Sequence, residues 1–113
     1  MFTQRKKWAD ALTHCSSLGL RLLEVRTQYD LARATQRFAE INGNQASVGM
    51  WLGGHNYNLQ FEYKWNSNGE PINVHAFWAT GYPYATAGFN CVALYNEKFY
   101  LRGCTGLKAF ACE

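Results

Sequence analysis

Hydrophobic and polar positions change their period several times along the chain, and each change predicts an element. In "KKWADALTHCSSLG", Trp8, Ala11, Leu12, Cys15 and Leu18 recur at helical spacing, and Gly19 follows as a left-handed stop. A short amphipathic helix is expected there. "RLLEV", residues 21 to 25, reads as a strand. Thr27 then stands three residues before Asp30, a capping-box-like arrangement that opens a second helix. Leu31, Ala34, Phe38 and Ile41 form its apolar stripe, Arg33 and Arg37 point elsewhere, and Gly43 ends it. After the polar connector "NGNQ" the period shortens to two. "SVGMWLGG" and "QFEYKW" are expected strands, the second alternating Phe61, Tyr63 and Trp65 against Gln60, Glu62 and Lys64. From Asn66 to Asn90 no period survives, only turn residues mixed with aromatics, until strands resume at "CVALY", "FYLRG" and "LKAFACE". An unpatterned stretch of about 25 residues inside a compact domain is uncommon and is often a functional loop. No repeat or low-complexity run interrupts the pattern, so residues 1–113 read as a single domain with a long loop at about 66–90.

Composition agrees with one core. Apolar residues make up 48% of the 113 and charged residues 17%, with aromatics at 16%. There is no run of about 18 apolar residues to span a bilayer, and the first twenty residues lack the apolar centre of a signal peptide. Either a leader has been removed or the stretch is excised from a longer precursor. The net charge of +3 comes partly from Arg5, Lys6 and Lys7, which are too few and too local to argue for nucleic acid and read as a solvated face.

Four cysteines, Cys15, Cys91, Cys104 and Cys112, have long spacings and no Cys-x-x-Cys pair, which argues against structural zinc. Two disulfides explain them better and imply a secretory or extracellular compartment. Three connectivities are possible. "CVALYNEKFYLRGC" looks like two strands around Asn96-Glu97-Lys98, and in that hairpin Cys91 and Cys104 fall within about one residue of facing each other. Cys91–Cys104 is therefore favoured, and the remaining pair Cys15–Cys112 would close nearly the whole chain, worth about 4 to 5 kcal/mol in loop-entropy terms.

Catalysis finds no constellation. With the cysteines paired no thiol nucleophile remains, and no Ser or Thr sits in a strand–turn–helix elbow. His14 lies off the helix stripe, His55 follows a strand and His75 is in the loop, so the three lack metal spacing. The expectation is no enzyme and no catalytic residue. Trp8, Trp51 and Trp65 read as core, and Trp78 as a loop anchor.

In order and spacing these features resemble the C-type lectin-like domain over essentially the whole chain. The resemblance is carried by Trp8, Ala11 and Cys15, by "LLEV", by "WLGG" at Trp51 to Gly54, by Cys91, Cys104 and Cys112, and by the closing "FACE". The look of "WLGGHN" followed by "F-x-Y-x-W-x-S-N-G-x-P-I" is most similar to invertebrate, insect-type members. The resemblance implies an α+β fold with two helices, two small mostly antiparallel sheets and a long loop. It also implies the same two bridges, first cysteine to last and second to third.

In that family, sugar binding uses calcium held by a Glu-Pro-Asn type triplet, an acidic residue before the second cysteine and a Trp-Asn-Asp triplet before the third. Calcium needs six to eight oxygens, several of them carboxylate. The resemblance places the first triplet at Tyr82-Pro83-Tyr84, after Trp78 and Gly81, so both ligands are tyrosines. Phe89 stands where a glutamate is expected, although Asn90 offers an amide, and the last triplet reads Phe99-Tyr100-Leu101. "GEPIN", residues 69 to 73, has the letters of a sugar site but follows Trp65, where the family carries a turn. Glu70 is also the only carboxylate between Trp65 and Asn96. Calcium at the usual sugar site is therefore not expected, and no cofactor is. A displaced weak site using Glu70 with Asn66, Asn68 and Asn73 stays open.

Aromatics replace the oxygens: Tyr82, Tyr84, Phe89, Phe99 and Tyr100, beside Arg102. They either pack the loop on the sheet or leave tyrosines exposed as a contact surface. Tyr82 and Tyr84 are the better binding candidates, joined by Tyr100, Arg102 and Asn90, with Phe89 and Phe99 as core. The expected function is extracellular recognition of a protein or glycan, independent of calcium and without membrane insertion. The alternatives are a carbohydrate-binding lectin, through a displaced calcium near Glu70 or aromatic stacking, and a structural matrix domain.

Overall fold

A computed structural model describes residues 2–40, 49–56, 63–72, 77–81 and 90–113. The chain starts with strand β1 (Phe2–Lys6), which the hydrophobic pattern does not announce, and passes into helix α1 (Trp8–Ser17). Trp8, Ala11 and Cys15 are the buried stripe of α1, and Gly19 leaves it at φ +73°, the left-handed conformation that glycine adopts without strain. Leu18, expected on that stripe, is instead 53% exposed, because the helix ends at Ser17 and the turn carries it outward. Helix α2 (Gln28–Ala39) opens with the full capping box: Asp30 N donates to Thr27 Oγ1, and Thr27 N donates to the Asp30 carboxylate. Leu31 and Ala34 are buried, while Phe38 is half-buried against the core. Ile41 and Gly43, with the "NGNQ" connector, lie outside the described residues.

Five further strands follow: β2 (Met50–Asn56), β3 (Tyr63–Trp65), β4 (Cys91–Tyr95), β5 (Lys98–Arg102) and β6 (Lys108–Phe110). The two expected sheets are joined through β2 into one mixed sheet of order β1-β6-β2-β4-β5, with β3 also on β2. Strand β2 makes this possible by pairing in parallel with β6 at Met50 and Trp51, then antiparallel with β3 from Gly54 to Asn56. "RLLEV" is not a ladder strand. It makes a single bridge, Leu22 to Cys112, and spends its side chains on packing, with Leu22, Leu23, Glu24 and Val25 all buried.

Both sheet faces are covered, which is why the strands read as nearly continuous apolar runs. Trp51, Cys91, Ala93 and Phe110 meet Trp8, Ala11 and Cys15 on the α1 side. Met50, Leu52, Val92, Leu94, Phe99 and Leu101 meet Leu31 and Ala34 of α2 and Trp65, Phe77 and Trp78 on the other. The β4–β5 turn puts Asn96 and Glu97 at φ +52° and +65°, the primed-turn geometry whose twist suits a two-residue hairpin. Register then aligns Cys91 with Arg102, and the disulfides are Cys91–Cys104 and Cys15–Cys112.

Candidate functional site

The "GEPIN" stretch is a turn. Gly69 at φ +72° donates its N–H to Trp65 O, Trp65 N donates to Glu70 O, and Pro71 bridges back to Lys64. Ile72 then drops into the core against Gly54, where an added Cβ would come within 2.8 Å of both the Ile72 and the Val92 side chain. The second glycine of "WLGG" is thus the space into which the end of this turn packs.

The turn is held from below by charge. Glu24, 3% exposed, receives the Arg26 guanidinium at 2.6 Å and two hydrogen bonds from Ser67, backbone N at 3.0 Å and Oγ at 2.8 Å. Arg26 also donates to Asn68 Oδ1 at 3.0 Å and lies over the Trp65 ring. The Asn68 amide is in turn hydrogen-bonded to the Glu70 carboxylate. A cation therefore already sits beside the Asn68–Glu70 pair. Next to this cluster, Glu113 accepts from Arg21 at 3.2 Å and from Arg33 at 3.1 Å. Arg33 and Arg37 are both exposed, as their place off the apolar stripe of α2 implies, and Arg33 in addition ties α2 to Glu113.

At the loop end of the sheet, Asn56 N donates to Asn90 O at 2.8 Å. Asn56 is 5% exposed, and its Oδ1 is buried without a hydrogen-bond partner among the described residues. An orphaned amide oxygen invites the question of calcium, which the family resemblance raises. Asn56 and Asn90 are both neutral amides, and Glu70 is engaged with Asn68 beside Arg26. A donor set without carboxylate charge does not fit a dication that takes six to eight oxygens. His55 lies with the sulfurs of Cys91 and Cys104, all within 4.8 Å of one another. Those sulfurs form a disulfide, so the group is a cystine beside an imidazole and not a metal centre. His55 belongs to β2 itself, stacks on Trp8 at 4.8 Å, and burial pushes its pKa below the usual 6.5. His14 meets the edge of Phe110, and His75 lies outside the described residues.

The aromatic candidates divide. Phe99 is fully buried, with Trp78 at 5.5 Å, Phe77 at 5.8 Å and Trp65 at 6.0 Å, all edge-on. Ala79 N donates to Phe99 O, and Trp78 bridges to the same residue, so this part of the long segment is anchored on β5. Tyr100 and Arg102 point to the opposite face and are half-buried, the guanidinium 4.9 Å from the Tyr100 ring. Arg102 also donates to Leu101 O at 2.9 Å. Tyr82, Tyr84 and Phe89 lie outside the described residues. Two contributors escaped the sequence pattern: Tyr95, 40% exposed and edge-on to Tyr100 at 6.1 Å, and Lys108, whose ammonium lies 5.2 Å from the Trp51 ring. Tyr95 was legible as the outward position that closes "CVALY". Lys108 carried no such signal. A cleft of about 290 Å³ between α1 and Leu20, Arg21 and Asn66 holds Asn66 of the displaced-site set but not Tyr100, Arg102 or Asn90.

The profile of the Lectin C-type domain matches residues 4–113. Among solved structures, the mouse scavenger receptor C-type lectin carbohydrate-recognition domain superposes with a TM-score of 0.82 at 18% identity, covering 98% of this chain and 82% of that one. The cow CD23 carbohydrate-recognition domain, solved in the presence of a GlcNAc2Man3 oligosaccharide, gives 0.77 at 26% identity over 96% and 79%. A calcium-independent type II antifreeze protein gives 0.74 at 18% identity over 97% and 79%.

Proposed function

The chain belongs to the C-type lectin domain family, and from that premise we propose that it is an extracellular, non-enzymatic recognition module. It binds a protein or glycan surface through the long loop and the β4–β5 hairpin, without calcium at the usual sugar position, and acts as one domain over residues 1–113. Tyr100, Arg102 and Asn90 contribute from the sheet side, and Tyr82 and Tyr84 from the loop. The insect-type look of "WLGGHN" belongs to this proposal and adds nothing to the choice of ligand.

The observation that carries it is Phe99. In the segment where the family resemblance expects oxygen ligands, this strand buries a ring completely among Trp65, Phe77 and Trp78, and turns Tyr100 and Arg102 outward. A hydrophobic plug does the holding that an ion would otherwise do. Arg26 beside Asn68 and Glu70 supports the same conclusion for a displaced site, because a guanidinium there repels a second cation. A neighbour of the same fold described as a calcium-independent type II antifreeze protein is consistent with this reading.

Calcium titration followed by melting temperature tests this directly, since a specific ion stabilises in proportion to the logarithm of its concentration above Kd. The expected result is an unchanged melting temperature up to millimolar calcium, and glycan-array binding indifferent to chelator. A calcium-dependent rise together with chelator-sensitive glycan binding would overturn it.

A further inference from the structure

Strand register places Lys64, His55, Cys91 and Arg102 side by side across β3, β2, β4 and β5. Directly paired residues point to the same face of a sheet, so Cys91 has an imidazole on one side and an arginine on the other, with a lysine beyond the imidazole. The imidazole and the sulfurs of Cys91 and Cys104 lie within 4.8 Å of one another, and stacking on Trp8 holds the ring there. Neighbouring Arg, Lys or His groups stabilise a thiolate, and a disulfide whose thiolates are stabilised is the more easily reduced. Cys15 and Cys91 are both fully buried, which by itself disfavours a thiolate at either, and this row is what separates them. Cys104 is partly exposed, and Thr105, Gly106 and Leu107 after it are exposed, so a nucleophile from solvent approaches its sulfur first. The two bridges also differ in span, 13 residues against 97. A bridge that closes a shorter loop stabilises the fold less, and the fold in turn protects it less from reduction.

We infer that Cys91–Cys104 is a thiol-exchange site, opened in the folded chain by a dithiol while Cys15–Cys112 stays closed. One thiolate of the reductant attacks Cys104 Sγ, the S–S bond breaks, and its electron pair leaves on Cys91 Sγ beside the His55 imidazole. The second thiolate then attacks the reductant's own sulfur in the mixed disulfide and releases Cys104. The dithiol ends as a disulfide and the cystine gains two electrons. The two protons that the dithiol loses end on the two cysteine sulfurs or, while the Cys91 thiolate persists, one of them on His55. Asn90, next to Cys91, accepts from Asn56 N, and Cys104 O accepts from Trp8 N at 3.1 Å. Opening the bond therefore unties the link between β5 and β6 from the end of the long loop, which makes the root of the loop sensitive to thiol reductants.

The test treats the folded whole chain with dithiothreitol for increasing times, then alkylates it with iodoacetamide and locates the label by peptide mass spectrometry. Cys91 and Cys104 are expected to be labelled about tenfold faster than Cys15 and Cys112, while circular dichroism keeps its folded signal. In equilibrium mixtures of reduced and oxidised dithiothreitol, His55→Phe, which keeps a ring on Trp8, should lower the reduction constant of this bridge by about tenfold, and Arg102→Gln by less. Melting curves verify that each variant is folded. Equal labelling of the two bridges, earlier labelling of Cys15 and Cys112, cleavage only after the folded signal is lost, or a folded His55→Phe reduced as readily as the parent would each overturn the assignment. No ligand enters the measurement, so its outcome is independent of the recognition role proposed above.

Discussion

The Arg26 guanidinium lies 2.6 Å from the carboxylate of Glu24, a side chain that is 1% exposed. This contact joins the segment before α2 to the turn at Ser67 and Asn68, because Arg26 also donates to Asn68 and Glu24 accepts from Ser67. Removing one partner of a buried pair leaves the other charge desolvated, which typically costs 3–5 kcal/mol, and the 28% exposure of Arg26 reduces that. Arg26→Met should therefore destabilise the fold by about 2–3 kcal/mol, read as a lower urea midpoint with unchanged slope. Glu24→Gln, which keeps an acceptor for Ser67, should cost less.

Phe99 is the second fulcrum, because the described part of the long segment is anchored on it. Phe99→Ala should cost about 3–5 kcal/mol, the range for truncating a buried aromatic ring. Trp78 and Trp65 both meet this ring, so intrinsic fluorescence should shift toward that of exposed tryptophan before global unfolding. Phe99→Leu should recover most of the loss.

His55 introduces a pH dependence whose sign follows from burial. Its pKa is lower in the folded than in the unfolded chain, so the unfolded state binds the proton more tightly. The corresponding stability is present above the unfolded value of 6.5 and is lost as pH falls through the depressed folded value. Melting temperature should thus decline below about pH 6.5, and His55→Phe, which keeps a ring against Trp8, should flatten that decline relative to the parent.

Lys108 introduces a charge whose burial works against folding. Its lowered pKa means that the unfolded chain holds the proton more tightly, so the charged form opposes folding at neutral pH. Lys108→Met keeps the stem over Trp51 and removes the charge. Its melting temperature should rise by a few degrees relative to the parent.

Much of the fold was legible because it depends on neighbours in sequence. The Thr27–Asp30 capping box, the exit of α1 at Gly19 and the "GEPIN" turn all complete themselves within a few residues. Hairpin register did the same for Cys91–Cys104, and the last pair followed. "RLLEV" misled because four consecutive buried residues look like a strand, whereas burial there comes from packing and a single bridge. Phe99 and Trp78 were expected as core and anchor from the family register, and both are buried. Tyr100 and Arg102 were placed on the last hairpin for the same reason, but their stacking and the strands beside them were not visible in it.

By itself, then, the sequence determined the elements whose signals lie within one or two turns of chain, together with the cysteine pairing and the family to which the residues 4–113 belong. Only the tertiary structure decided which distant residues stand together. Arg26 reaches Asn68 across 42 positions, and Trp51, Ala93 and Tyr100 come into one row through pairings that merge the expected two sheets into one. The reason is range. Capping and turn preferences act over a few bonds, whereas strand register and buried charge pairs are selected by closure of a whole core, where both sheet faces and every buried polar group must be satisfied at once.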